Sequence, residues 1–192
     1  IRWIEKKINE YLNKLLETKD EDFVIASDTD SIYVTFDRLV NKVFKEGTDV
    51  QKIVNFLDTI ATEKVEPFIN RSYQTLAEMM SAYDQKMFMK REVIADKAIW
   101  TAKKRYILNV WDSEGVRYKE PQLKMMGIES QKSSTPAEIR IKIKEALQII
   151  MKGGENELND FLTSYRDEFN KLPPEMIAFP RSCNGLKKFA SD

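Results

Sequence analysis

The stretch Phe23-Val24-Ile25-Ala26-Ser27-Asp28-Thr29-Asp30-Ser31-Ile32-Tyr33-Val34-Thr35-Phe36 decides how this chain is read. Two short runs rich in β-branched and aromatic residues flank a polar Asp-Thr-Asp-Ser tetrapeptide. That pattern predicts two buried strands joined by a hairpin turn, spanning about residues 23–36. Residues two apart in extended backbone share a side, so Asp28 and Asp30 are expected to present both carboxylates together. Neighbouring carboxylates repel one another unless a cation neutralises them. Hard oxygen donors of this kind suit Mg²⁺, which is usually held by one or two carboxylates plus substrate phosphates. The turn therefore points to a metal-dependent site acting on a phosphate compound.

Composition narrows the chemistry. The chain has 192 residues, 42% apolar and 32% charged, with 31 basic and 31 acidic side chains. That is the balance of an ordinary globular domain, or one domain and part of another. No apolar run reaches the roughly 18–20 residues of a membrane span. The chain opens Ile-Arg-Trp-Ile-Glu-Lys-Lys, without a starting methionine or a signal-peptide core, and reads as a piece of a longer protein. The single cysteine, Cys183, cannot close an intrachain disulfide, and there is no cysteine pattern for zinc. Histidine is absent altogether, which excludes His-based triads, HExxH zinc sites and imidazole bases. Chemistry must use carboxylates, Lys, Arg, Tyr, Ser or a bound metal. Charge is balanced overall but not locally. Lys86, Lys90, Arg91, Lys97, Lys103, Lys104 and Arg105 face only Glu92 and Asp96. With Phe88, Trp100 and Tyr106 among or beside them, these residues form a candidate nucleic-acid strip, or alternatively a solvated basic sheet face.

Working outward from the hairpin, Ile1, Ile4, Ile8, Leu12, Leu15 and Leu16 recur at helical spacing and predict an amphipathic helix packed on the hairpin. Glu5, Lys6, Glu10 and Asn13 fall off that stripe. After the hairpin, Leu39–Phe44 predict a short helix ended by Gly47. Asp49 then caps a second helix carrying Val50, Ile53, Val54, Leu57 and Ile60. Pro67 should interrupt or kink it before it runs on to about Tyr83. Met79, Met80, Met87 and Met89 read as gap-filling core. Residues 85–123 predict two or three antiparallel strands with a hairpin around Ser113–Gly115. Ser133-Ser134-Thr135-Pro136 marks a boundary, with Thr135 as N-cap, Pro136 at N1 and Glu138 at N3 of a helix stopped at Gly153-Gly154. A further helix over about 155–171 should bury Leu158, Phe161, Leu162, Tyr165 and Phe169. Beyond Pro173-Pro174 the chain reads as irregular.

An Asp-x-Asp turn alone leaves several readings open. It fits an ordinary polar turn, an aspartyl phosphotransferase of the haloacid-dehalogenase type, a Mn²⁺-dependent nucleotide-sugar glycosyltransferase or a two-metal nucleotidyltransferase. The phosphotransferase family prefers Gly-Thr after the second Asp, whereas Ser31 here leads straight into a strand. Downstream, Lys103-Lys104-Arg105-Tyr106 opens another strand. Asp-Thr-Asp-Ser followed by Lys-Lys-Arg-Tyr resembles motif C and the lysine–tyrosine motif of the family B DNA polymerases. Ile8-Asn9-Glu10-Tyr11-Leu12-Asn13-Lys14, Tyr106-Ile107-Leu108-Asn109-Val110-Trp111-Asp112 and Gln131-Lys132-Ser133-Ser134-Thr135-Pro136 are similar to the replicative polymerases of T-even-like bacteriophages. The resemblance covers about residues 1–172.

The resemblance implies an α+β fold: an antiparallel palm sheet, made of the motif C hairpin and further strands, packed on helices and followed by a helical partial thumb. Residues 1–127 would be the C-terminal part of the palm and 128–192 the start of the thumb. It implies template-directed DNA synthesis, with two Mg²⁺ ions as cofactor (Mn²⁺ as a substitute). Asp30 would be the main catalytic metal ligand and Asp28 its neighbour, with Glu92 at an acidic position near the metals. Lys90 departs from the Asp-Arg-Glu of the phage pattern. Lys103, Lys104 and Tyr106, with Arg105, Lys132 and Ser133, would contact DNA. The implied partners are primer–template DNA and a deoxynucleoside triphosphate, with a sliding clamp as a candidate, no membrane, and the host cytoplasm as the setting. The motif A strand and the fingers motif are expected before residue 1, so the isolated chain is expected to be inactive. Another Mg²⁺-dependent phosphoryl-transfer enzyme and a non-catalytic DNA-binding module are the alternatives.

Overall fold

The computed structural model describes residues 1–182 together with Asn184, Gly185 and Lys188; Cys183 lies outside the described residues. The α+β class expected from the sequence is what folds: helices combine with a two-stranded sheet of order β1-β2 and a three-stranded sheet of order β3-β4-β5. The chain forms two compact units, residues 1–95 with 110–121, and residues 96–109 with 122–192. Among the described residues no helix is long and apolar enough to cross a membrane.

The first unit is built on α1 (Arg2–Leu16). Its residues Ile4, Ile8 and Leu12 fall one turn apart and are almost wholly buried against Phe23, Val24, Ile69 and Tyr73. Each such aliphatic side chain contributes about 1.5–3 kcal/mol relative to exposure. Polar residues of α1 also turn inward. Asn9 Oδ1 accepts the backbone N–H groups of Phe23 (2.9 Å) and Val24 (3.0 Å). Asn13 donates to the Glu21 carbonyl (2.8 Å) and accepts from the Glu21 N–H (3.0 Å). Two asparagines thus hold the entry to the hairpin, a role that helical periodicity does not reveal.

The hairpin consists of β1 (Val24–Asp28) and β2 (Ser31–Val34), antiparallel, with Asp28 opposite Ser31 and Ser27 opposite Ile32. Val24 pairs with Val34 and Ala26 with Tyr33, so Ile25 is an extra residue bulged out of the ladder. It is 52% exposed, and neither strand is buried throughout as the apolar runs predict. A two-stranded sheet has one covered face, and the bulge turns Ile25 away from it.

After α2 (Asp37–Val43), Asp49 caps α3 (Val50–Ile60) as predicted, accepting the Gln51 N–H at 3.1 Å. The helix does not break at Pro67. Five residues, Ala61–Val65, take a π-turn in which the Glu66 N–H reaches back to the Ala61 carbonyl, and α4 (Glu66–Met79) continues from there. A proline ring collides with the carbonyl four residues earlier, here Glu63. The wider turn lies where that collision would occur.

Three of the four methionines expected to fill the core are exposed instead. Met79, Met80 and Met87 are 65%, 72% and 48% exposed, and only Met89 packs on the α1 core. They lie at the end of α4 and in the irregular segment beyond it, where no element of the described residues covers them.

Strands β3 (Val93–Ala102), β4 (Arg105–Ser113) and β5 (Val116–Met126) are joined by two-residue turns. The Glu114-Gly115 end belongs to the first unit and the Lys103-Lys104 end to the second. In the second unit Ile107, Ile128 and Met151 form a core with Ile99, Leu123, Met125, Ile143 and Leu147. Helix α5 (Ala137–Lys152) stops at Gly153 as predicted, but it begins one residue late. Pro136, not Thr135, is its N-cap, without a side-chain cap bond, and Thr135 is buried instead. Helix α6 (Glu155–Phe169) has no fully buried residue, contrary to expectation, and Leu162 is 49% exposed. A four-residue helix, α7 (Pro174–Ile177), follows where the sequence suggests irregular chain.

Candidate metal and nucleic-acid site

The acidic turn is tight. Asp28 closes β1, Thr29 and Asp30 make the turn and Ser31 opens β2. Strand alternation therefore stops at Asp28, and Asp30 is reached through Thr29 in the left-handed region, at φ 45°. A β-branched residue there is strained. The Thr29 hydroxyl donates to Asp28 Oδ1 at 3.1 Å and the Ser31 hydroxyl donates to the Asp28 carbonyl at 3.1 Å. Asp28 is half-buried and Asp30 exposed at the tip. Beside the turn, the Ser27 hydroxyl donates to Glu5 of α1. That bond, assisted by Arg2 against some desolvation, holds the Glu5 carboxyl below its ordinary value.

Glu92 immediately precedes β3, is exposed, and belongs to the same unit as the turn. Among the described residues no three carboxylate, cysteine or histidine groups are close enough to form a metal cluster. Asp28, Asp30 and Glu92 are thus not gathered into a three-ligand centre. Two carboxylates on one tight turn remain a donor set that fits a hard divalent cation sharing its shell with phosphates and water.

The basic residues divide by what they touch. Arg91 is engaged with Asp58 and Asp112. Lys97 Nζ donates to the Met151 carbonyl at 2.7 Å, in the last turn of α5. Arg105 Nη2 meets both Glu129 oxygens at 2.6 Å, and Lys132 Nζ lies 3.3 Å from the same carboxylate. Glu129 is held below its ordinary value by its own backbone N–H and by Arg105. Lys103 and Lys104 do not begin the strand, as the motif spacing suggests, but form the β3–β4 turn, with Lys104 at φ 61°. Both are exposed. Tyr106 is buried and lies tilted against Trp100, ring centroids 6.5 Å apart. Gly127, at φ 66°, passes so close to this turn that a Cβ would stand 2.4 Å from the Lys104 carbonyl oxygen. Ser133 is exposed ahead of α5.

The sequence pattern does not reveal a charge group in the first unit that is built around one buried aspartate. Asp112, fully buried on β4, meets Arg91 and accepts from Arg117 Nε at 3.0 Å, and Arg117 Nη1 donates to Asn55 Oδ1 at 2.8 Å. The available signal was an aspartate ending the apolar run Ile107–Trp111, since a buried carboxylate must find a partner.

The model described as Divergent Family B DNA polymerase matches residues 15–159. That match covers well over half of the chain, and the protein belongs to this family. The chain is 42% identical over 198 residues to a DNA-directed DNA polymerase of Escherichia phage RB69, covering 98% of this chain and 22% of that protein. It is 39% identical over 201 residues to a DNA-directed DNA polymerase of Enterobacteria phage T4, with the same coverage. The chain thus spans about a fifth of the length of these curated relatives.

Proposed function

We propose that this chain contributes the palm (residues 1–127) and the start of the thumb (residues 128–192) to template-directed DNA synthesis, joining a deoxynucleoside triphosphate to a primer 3′-hydroxyl. The observation that carries this reading is an exposed Asp30 at the tip of an Asp-Thr-Asp-Ser hairpin in a chain of this family. Asp30, with Asp28 behind it and Glu92 as a further carboxylate, would hold divalent cations, Mg²⁺ or in its place Mn²⁺. When bound, two such ions lower the pKa of the attacking hydroxyl and stabilise charge on the leaving group. The chain's own contribution is placement. The turn leaves Asp30 exposed at its tip, the Thr29 hydroxyl bonds Asp28, and the asparagine ties from α1 hold the hairpin root. No histidine is required, in keeping with the composition.

Lys103 and Lys104, exposed on the β3–β4 turn, are the residues best placed to meet phosphate backbone without reading sequence. Lys132 and Ser133 stand at the thumb's start. Arg105 and Tyr106 would act from beneath, one tied to Glu129 and the other packed on Trp100. A sliding clamp and the cytoplasm of a phage-infected cell complete the setting we propose.

The test uses the full-length polymerase carrying this segment. Lys103→Ala with Lys104→Ala should weaken primer–template binding and reduce the slope of log affinity against log salt by up to about 2. An unchanged slope would remove the turn from the DNA interface. A protein that releases phosphate from small esters yet ignores primer–template would instead belong to another class of metal enzyme.

A further inference from the structure

Arg91 lies at the centre of the partly buried charge group of the first unit. Its guanidinium meets Asp58 of α3 at 2.7 Å and Asp112 of β4, and its side chain is only 13% exposed. Arg117 closes the ring, reaching Asp112 Oδ2 at 3.0 Å and Asp58 Oδ2 at 3.5 Å. Two arginines and two aspartates balance. The backbone here is held as well. The Arg91 N–H donates to Glu66 Oε1 at 2.8 Å, and the Glu92 carbonyl accepts the Glu114 N–H at 2.6 Å. Two residues earlier, Met89 packs on the core that carries the acidic hairpin. Residues 89–92 lie outside any helix or strand, yet they are fastened to α3, α4, β4 and the β4–β5 turn.

The π-turn explains how α3 and α4 can both reach one residue. In an unbroken α-helix, positions 58 and 66 would be separated by about 800° of rotation, about 80° away from a shared face. The Glu66 N–H bonds back five residues to Ala61, so the turn absorbs one residue. The separation becomes about seven ordinary steps, or about 700°, which brings both carboxylates within about 20° of one line. Asp58 then takes the guanidinium and Glu66 the backbone N–H of the same arginine.

We propose that Arg91 is a positioning residue that acts through Glu92: the four-charge group and the π-turn fix residues 89–92 on the hairpin's own core, and thereby fix where the Glu92 carboxylate meets a divalent cation. The part assigned to Glu92 rests on the polymerase reading, whereas the fastening of Arg91 does not. Lysine cannot replace this arginine, because a single ammonium lacks the planar fork that spans two carboxylates. A purely structural cluster would stabilise the fold and leave Glu92 independent of it.

The experiment takes the full-length polymerase on a dideoxy-terminated primer–template with the next nucleotide bound. Mn²⁺ binding is read from the free-ion electron paramagnetic resonance signal, and thermal unfolding is followed in parallel. Arg91→Lys and Glu92→Gln are each expected to weaken Mn²⁺ binding about 10-fold. The double variant should bind no more weakly than Glu92→Gln alone, the non-additivity of groups acting in series. Asp58→Asn, which leaves Asp112 on Arg91, should show a smaller loss of the same kind and supplies the test if Arg91→Lys does not fold. Losses that multiply in the double variant would overturn the proposal. So would Mn²⁺ binding unchanged in Glu92→Gln, or a lowered unfolding temperature in Arg91→Lys with unchanged Mn²⁺ binding. A wild-type protein unable to extend an ordinary primer would instead refute the polymerase reading, which separates the two failures.

Discussion

Two hairpins of the first unit reverse the chain in two residues, with opposite choices of residue. Between β4 and β5 the turn is Glu114-Gly115, at φ 52° and 87°, and the Asp112 carboxylate accepts the Gly115 N–H at 3.0 Å. Two left-handed residues with glycine among them match the natural twist of a hairpin. Between β1 and β2 the turn is Thr29-Asp30, without glycine, and Thr29 is forced to φ 45°. The first turn has glycine at one of its two left-handed positions, and the buried Asp112 of β4 anchors it. The second accepts about 1–2 kcal/mol of left-handed strain in a β-branched residue and keeps its acid exposed. Identical architecture therefore carries a buried acid in one place and an exposed acid in the other.

The largest expected effect falls on the structural turn. Asp112→Ala takes the fully buried carboxylate from both Arg91 and Arg117, leaves them only the half-exposed Asp58, and should destabilise the chain by about 3–5 kcal/mol. For a protein of this size that lowers the thermal midpoint by about 10 °C, measurable by circular dichroism. A loss below about 1 kcal/mol would mean that the buried group is not an anchor. Next comes the third two-residue turn, Lys103-Lys104. Gly127→Ala sets a methyl against the Lys104 carbonyl and should destabilise by about 1–3 kcal/mol, with a change in the amide signals of residues 103–105.

The Thr29-Asp30 turn should behave the other way. Thr29→Gly relieves left-handed strain and removes the hydroxyl on Asp28, so stability in urea should hold or rise by up to about 1 kcal/mol while primer extension by the full-length polymerase falls. Reduced stability with normal synthesis would erase the contrast between the turns. The smallest effect concerns Glu5. Its pKa is lowered, chiefly by the Ser27 hydroxyl, so its contribution is fully present above the ordinary value of 4.5 and lost as pH falls through the depressed one. Glu5→Gln should therefore be less stable than the unmodified chain above pH 4.5, and the two should converge in acid.

How much of this was legible depends on whether the cause was local. Helical periodicity located α1, the Asp49 cap and the glycine stop of α5, because caps and stripes are decided within a turn or two of the chain. The same local logic misplaced the α5 N-cap, since the burial of Thr135 is settled by tertiary packing. It also buried Met79, Met80 and Met87, which no element of the described residues covers. The acidic turn was legible as a motif, but the left-handed Thr29 that carries the chain on to Asp30 was not. Asp58, Glu66, Asp112 and Arg117 went unnoticed because their meeting depends on contacts between residues 25, 33 and 59 apart in the chain and on the phase of a π-turn.

The measurement that bears most directly on the central claim is Asp30→Asn in the full-length polymerase, with primer extension and primer–template affinity recorded at one salt concentration. A carboxylate that holds a catalytic cation is worth several kcal/mol, so extension should fall by at least about 100-fold while DNA affinity stays within about 2-fold. Extension at the unmodified rate would contradict the assignment of this hairpin as the site of synthesis.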